Sequence, residues 1–422
     1  MFNLSPPTLM HIDLNSCFAT IEQQANPLLR GKPIVVAAYT IGRGCILAAS
    51  VEAKRLGIKT GMRVGEGKAL YPHLVVLAPD PEKYRWVNRK LYTLLSSYTS
   101  HLSVESIDEM VMDVARTPAL ERHIKELTGP GPVNNAMIFI GKNIKKRIKE
   151  EIGEWLTVSI GIAPNRYLAK VASGLHKPDG MDVITQENIE EILAGLQLED
   201  LCGIKDGNAA RLRIAGIGTP VEFSRASAVA LVAAFHSKMG WSWWQRLHGY
   251  EDGVMYKAFD QSKDIQKTFG QSFALGTSRL PSDPEVTKIM TQLIVKMGRR
   301  LRSAGFVAHG ITVSLLFTDY SHWTKAKAAS EPLFADADFL SRAKDLFGLA
   351  PNKPVRIVAV TSFNLMPRGA GQMGLWNTDE KKWKITDAID AIADRWGEFS
   401  VTPATMLGME QKVQDRIAFG KV

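Results

Sequence analysis

Ser103-Val104-Glu105-Ser106-Ile107-Asp108-Glu109-Met110-Val111-Met112-Asp113-Val114 is the stretch on which the fold turns. Val104, Ser106, Asp108, Met110 and Met112 alternate with Glu105, Ile107, Glu109, Val111 and Asp113, the period of a β-strand with two distinct faces. Asp108 and Glu109 nevertheless stand side by side in a run otherwise rich in Val, Ile and Met. A carboxylate on a mostly buried strand is costly unless a cation compensates it. Adjacent acids within about 4–6 Å also oppose each other's ionisation. Either the two acids reach solvent at a strand edge, or they hold a divalent cation where the strand ends. The second reading requires a further carboxylate.

Residues 8–14, Thr-Leu-Met-His-Ile-Asp-Leu, read as a short strand ending in an acid, and residues 16–24 as a helix capped by Asn15 or Ser16. Asp13 therefore lies where a buried strand opens into a loop or helix. Alone it is as readily a capping or surface acid. Together with Asp108 and Glu109 it supplies a third oxygen donor. Three carboxylates from two strands suit two Mg²⁺ ions about 3.5–4 Å apart, an arrangement that clamps a phosphoryl group in transfer.

The 422 residues are 45% hydrophobic and 23% charged, an ordinary globular composition sufficient for three or four domains. The net charge of +9 favours a polyanionic partner. Cys17, Cys45 and Cys202 are far apart and form no CxxC pair, which argues against a disulfide framework or a zinc site. Residues 1–10 lack a cationic start followed by an apolar run, and no apolar segment approaches the roughly 20 residues that span a bilayer. A soluble, cytoplasmic protein with no membrane partner is expected.

Further along, residues 33–38 and 45–50 read as strands, 50–57 as a short basic helix, 79–95 and 143–151 as polar helices. A strand over 158–164 is followed by a helix carrying Lys170, then by a turn at Lys177-Pro178-Asp179-Gly180. Lys170 is a solvated cation unless it lies beside the acids, where it could neutralise a triphosphate. Gly203, Lys205 and Gly207 lie in a small-residue turn between helical patterns, of the kind that brings backbone N–H groups to a phosphate, although helix packing also uses such turns. Trp241, Trp243 and Trp244 read as packing residues closing that region. Between Lys263 and Arg368 there are 15 Lys and Arg against 8 Asp and Glu, so most of the excess charge falls in one quarter of the chain. That segment holds strand-like runs at 264–276, 311–318 and 355–363 and helices at 286–301 and 336–347. Arg299 and Arg300 lie outside or at the border of the apolar stripe, as befits contact with a nucleic acid backbone. After a break at 366–371, Gln372, Met373, Leu375 and Trp376 present a polar head and apolar anchors, suited to a partner's groove or to a loop tucked onto its own domain. A short helix over 386–396 ends the readable pattern.

The chain resembles the Y-family translesion DNA polymerases, closest to the bacterial DNA-polymerase-IV-like members, over about residues 8–365. The resemblance is carried by Asp13-Leu14-Asn15-Ser16-Cys17-Phe18-Ala19-Thr20-Ile21-Glu22, Arg30-Gly31-Lys32-Pro33, Ser106-Ile107-Asp108-Glu109, Gly161-Ile162, Leu168-Ala169-Lys170-Val171-Ala172-Ser173 and Lys177-Pro178-Asp179-Gly180. It implies an α+β right-hand fold: palm at 1–16 and 78–175, fingers at 17–77, a helix-hairpin-helix thumb at 176–250, a separate little finger at 262–365, and a C-terminal segment at 366–422. It further implies that Asp13, Asp108, Glu109 and the Leu14 carbonyl hold two Mg²⁺ ions, and that Phe18 is the steric gate against a ribose 2′-hydroxyl. Lys170, Lys54 and Cys17 would then line the nucleotide site. Gly203, Lys205, Gly207, Arg299 and Arg300 would contact DNA, and Gln372–Trp376 resembles the peptide that binds the bacterial sliding clamp. The implied partners of this monomer are primer-template DNA, a dNTP and the clamp.

Two departures stand out. The family's usual hydroxyl residue, Tyr and Arg in the fingers are replaced by Ala48, Val51 and Lys54, and Cys17 replaces an aromatic beside the gate. Each neutral hydrogen bond lost is worth about 0.5–1.5 kcal/mol, so a raised KM for dNTP is expected. A catalytically weak or inert adaptor that binds DNA and clamp is the alternative, and a nucleotidyl cyclase on a similar palm has no use for the basic domain.

Overall fold

Alternating apolar residues place eight strands among the described residues of the first unit: β1 Leu9–Leu14, β2 Ile34–Ala37, β3 Ile46–Ala49, β4 Val75–Leu77, β5 Leu102–Val104, β6 Glu109–Asp113, β7 Val158–Ala163 and β8 Met181–Val183. The computed structural model describes residues 2–115, 117–118, 120–121, 132–253, 266–369, 378–408 and 413. The chain divides into two compact units, one within Met1–Gln261 and one within Ser262–Asp415.

In the first unit a five-stranded sheet runs β5-β6-β1-β7-β8, with β1 antiparallel to both neighbours. Met10, Ile12 and Leu14 face a core built with Tyr84, Leu91 and Leu95 of helix Pro81–Ser96 and Ile140, Ile144 and Ile148 of helix Pro132–Glu151. Leu9, His11 and Asp13 therefore take the other face. There Gly161 pairs with His11, and a Cβ at Gly161 would overlap the Ala169 carbonyl oxygen. The missing side chain lets helix Arg166–Leu175 press onto the sheet, which brings its Lys170 over the strand ends. A smaller sheet, β3-β2-β4, closes over Val35, Ala37, Ile46, Ala49 and Ile58.

Residues 103–114, expected as one strand, instead fold back on themselves. β5 and β6 are antiparallel partners, Val104 opposite Met110, and residues 105–108 form the turn between them. The Ser106 hydroxyl accepts the Glu109 N–H at 3.1 Å, and the Glu105 and Ser106 N–H groups both donate to the Glu109 carbonyl. Local side-chain bonds of this kind compete with a continuous ladder.

Beyond β8, helices Asp206–Ile214, Pro220–Arg225, Ala228–Phe235 and Met239–Leu247 pack around Trp243, which touches Tyr167, Phe223 and Phe235. Trp243 is the buried packing residue expected there, whereas Trp241 is half exposed. Residues 254–265 lie outside the described residues.

The second unit holds a four-stranded antiparallel sheet in the order β11-β10-β12-β9, formed by β9 Thr268–Arg279, β10 Phe306–Phe317, β11 His322–Leu333 and β12 Val355–Pro367. Helices Pro284–Ser303 and Asp336–Phe347 cover one face through Ile289, Leu293, Met297, Phe339 and Leu346. Helix Thr378–Trp396 belongs to this same unit and lies along Pro284–Ser303, with Asp390 bonded to Arg302 and Asp394 to Arg299. Among the described residues no helix is long and apolar enough to cross a membrane.

Candidate active site

Because β1 is the middle strand, its last residues are fixed from both sides. Asp13 lies directly opposite Glu109 on β6 and Ser159 on β7. Directly opposed residues share a face with Cβ atoms about 4.5–5.5 Å apart, so the two carboxylates converge. Asp108 sits in the turn just before β6, where its carbonyl accepts the Leu14 N–H at 2.9 Å and its Oδ1 accepts the Ser106 hydroxyl at 2.5 Å. All three acids singled out in the sequence line one cleft of about 620 Å³. Leu14, Cys17 and Phe18 line it as well, with Ala48, Val51 and Lys54 contributed by β3 and helix Val51–Arg55.

Two of the three acids meet lysines. Lys177 Nζ lies 2.5 Å from Asp13 Oδ2, and Lys170 Nζ lies 2.6 Å from Glu109 Oε2. Burial pushes the Asp13 carboxyl up to about 6, with Lys177 pulling the other way. Burial likewise raises Asp108, opposed by the Ser106 hydrogen bond. Burial opposes ionisation of Glu109 too, but His11 and Lys170 outweigh it and hold that carboxyl below its usual range. Since burial drives His11 itself down to about 3, the ring is neutral near pH 7 and Lys170 carries the effect. Enclosure, then the nearby Lys177, lowers Lys54. Burial, then Asp108 and Asp13, raises the Cys17 thiol, which makes Cys17 a packing residue of the wall and not a nucleophile.

The donor chemistry fits a small divalent cation. Asp13, Asp108 and Glu109 are hard oxygen donors in a partly enclosed cleft, and two of them already draw ammonium groups. One ligand atom each from His11, Asp13 and Glu109 lies within 4.8 Å of the other two.

Phe18 stands near the head of helix Cys17–Ala25, 1% exposed, and stacks on Tyr84 at 4.3 Å and 9°. The chain turns sharply into this helix through Ser16, at φ 51°, while the Thr20 hydroxyl donates to the Asn15 carbonyl. Asn15 donates to Ser159 Oγ at 2.9 Å and accepts the Asp179 N–H at 2.8 Å. That bond anchors the 177–180 turn against the end of β1.

The two lysines differ from expectation. Lys170 is bonded to Glu109 and is not among the residues lining the cleft, whereas Lys177 is. Reading 177–180 only as a turn misses Lys177; the signal was a cation heading a tight turn two residues after a helix that carries another. His11 and Tyr84 were missed for a different reason, since each reads as an ordinary core residue.

Elsewhere, Gly203 takes φ +89° in the turn before helix Asp206–Ile214, and Lys205 and Gly207 are exposed at that helix's start. In the second unit Arg300 is exposed, but Arg299 is engaged with Asp394 at 2.6 Å and Glu398 at 3.4 Å. Gln372, Met373, Leu375 and Trp376 lie outside the described residues.

Residues 12–174 match the model of the impB/mucB/samB family, and residues 266–375 match that of the impB/mucB/samB family C-terminal domain. DNA polymerase IV of Pelotomaculum thermopropionicum is 31% identical over 404 residues, 94% of each chain. The chain belongs to the Y family of DNA polymerases. DNA polymerase IV 1 of Bacillus subtilis is 28% identical over 420 residues, covering 98% of this Y-family chain and 96% of its own. Among solved structures, the Y-family polymerase chimera Dbh-Dpo4(243-245)-Dbh aligns with a TM-score of 0.70 at 22% identity, over 85% of this chain and 99% of its own. The insertion ternary complex of Dbh DNA polymerase aligns with a TM-score of 0.56 at 24% identity. At those identities the likeness bears on the fold, an α+β Y-family architecture with a separate C-terminal domain.

Proposed function

We propose that the cleft at the end of β1 is where this chain joins a dNTP to a primer 3′-hydroxyl, and that Asp13, Asp108, Glu109 and the Leu14 carbonyl hold two Mg²⁺ ions there. The chain is a DNA-directed DNA polymerase of the translesion type, and its family uses a divalent metal. The observation that carries the site assignment is the facing pair Asp13–Glu109 in one cleft with Asp108, Phe18 and Lys177. Metal held at these acids supplies a polarised attacking oxygen and charge compensation for the departing pyrophosphate.

The chain's own residues do the rest. Lys177 and Lys54 line the cleft and bring positive charge to the triphosphate, while Lys170 balances Glu109 from the helix side. Lys54 stands where a fork-shaped guanidinium is usual, so its grip is electrostatic and less directional. Phe18, rigid and buried, forms a floor that leaves no room for a 2′-hydroxyl. The exposed N–H groups around Gly203, Lys205 and Gly207, together with Arg300, contact DNA phosphates without regard to sequence. Arg299 joins them only by leaving Asp394. Gln372, Met373, Leu375 and Trp376 bind the sliding clamp, and the polymerase acts as a monomer.

Primer extension with Mg²⁺ and dNTPs tests the reading. The wild-type chain extends the primer and Asp108→Ala does not; equal extension by both removes the assignment. Leu375→Ala with Trp376→Ala abolishes stimulation by clamp and spares basal synthesis.

A further inference from the structure

His11 is buried on β1 at 2% exposure, and its Nε2 has no hydrogen-bond partner. Buried polar atoms are almost always hydrogen-bonded, so Nε2 calls for a partner in another state of the site. The strand period puts His11 on the same face as Asp13, two residues earlier, and Nε2 stands 4.0 Å from Glu109 Oε1. Gly161 lies beside it on β7 and offers no side chain, and helix Arg166–Leu175 seals the space above. The other carboxylate oxygen of Glu109 is drawn to Lys170 at 2.6 Å. Glu109 thus stands between an ammonium on one side and an unpaired imidazole nitrogen on the other.

We propose that His11 is a positioning residue of the metal centre: its Nε2–H donates to Glu109 Oε1 and fixes that carboxylate in the orientation that binds the cation. This rests on the assignment of Asp13 and Glu109 as metal ligands. When a divalent cation takes over the charge that Lys170 supplies, Glu109 no longer needs to lean toward Lys170. A shift of about one ångström toward His11 then closes the 4.0 Å gap to hydrogen-bond length. The bond seats Glu109 beside Asp13 and gives the buried Nε2 a partner. Outer donors of this kind typically change metal affinity 10- to 100-fold when removed.

The test uses the full chain and Mn²⁺ alone, with free Mn²⁺ followed by electron paramagnetic resonance. His11→Leu keeps the volume and loses the donor, and its Mn²⁺ affinity falls roughly tenfold. His11→Asn, which keeps an N–H, recovers most of that loss. Glu109→Gln separates the two layers of the argument. If it binds Mn²⁺ like wild type, the ligand assignment itself is wrong. If it loses affinity while His11→Leu does not, only the role of His11 falls. A measurement on unmutated chain stands beside these: with ¹⁵N-labelled histidine, His11 Nε2 carries a proton whose resonance moves downfield on Mg²⁺ addition. A bare Nε2, or ¹⁴N coupling from an imidazole bonded directly to Mn²⁺, overturns the proposal.

Discussion

Phe18 owes its rigidity to Tyr84 as much as to its own helix. The rings stack at 4.3 Å and 9°, and the Tyr84 hydroxyl donates to Glu22 Oε1, which also accepts Lys83 through its other oxygen. A gate that excludes one oxygen atom must not drift by that atom's radius, so its backing matters as much as its identity. A stacked aromatic pair is worth about 0.5–1.5 kcal/mol beyond its buried area. Tyr84→Leu should therefore loosen Phe18 and lower the preference for dNTP over rNTP by up to about tenfold. Tyr84→Phe keeps the stack and should change the ratio little. The ratio of kcat/KM for the two nucleotides is the measurement; an unchanged ratio in Tyr84→Leu means that Phe18 is held elsewhere. None of this backing was legible in the sequence, because Tyr84 and Phe18 are 66 positions apart and each looks like a routine core aromatic.

At the scale of elements, the acids are placed by a turn and not by a long strand. Ser106 bonds Asp108 Oδ1 through its hydroxyl and accepts the Glu109 N–H, so one side chain holds the Asp108 carboxylate and the Glu109 backbone. Ser106→Ala removes a hydrogen bond to a carboxylate, worth about 1.5–3 kcal/mol, and should raise the Mg²⁺ concentration needed for half-maximal extension by about an order of magnitude. A Mg²⁺ titration of primer extension checks this, with Ser106→Thr expected to behave like wild type. The strand period still reads β1 and β7, whose residues are buried throughout, and the buried Met110–Met112 centre of β6. It failed at residues 105–108, where alternation continues through a turn that hydroxyl bonding decides. It also failed at β11, whose Lys325-Ala326-Lys327-Ala328 run has no apolar face of its own and exists by pairing with β10. Helix Asp336–Phe347 was read to the residue, because its acidic first turn and apolar stripe agree.

For the whole molecule, net charge pointed to nucleic acid, yet the structure shows that part of the basic domain's charge is used internally. Lys296 and Arg302, 5% and 7% exposed, belong to the long helix of the second unit. Arg302 bonds Asp390 through two nitrogens and also holds Asp336 and the Phe334 carbonyl. Lys296 meets Glu398 at 3.0 Å and the Val413 carbonyl at 3.1 Å. Helix Thr378–Trp396, with Glu398 and Val413 beyond it, is thus a structural part of this unit, despite beginning as a polar stretch whose apolar period starts only at Ile385. Removing one partner of a buried ion pair costs about 3–5 kcal/mol, because the other charge stays buried. Asp336 remains on Arg302, so Asp390→Ala should lie at the low end, about 3 kcal/mol. Asp394→Ala breaks a pair whose acid is 72% exposed and should cost under about 1 kcal/mol. Replacing both partners, Arg302→Met with Asp390→Leu, should not restore the loss, since Asp336 and the Phe334 carbonyl then lose the guanidinium that holds them. Thermal unfolding of the full chain ranks the variants. If Asp390→Ala and Asp394→Ala unfold together at the wild-type temperature, the C-terminal helix is an appendage and not a wall of the domain.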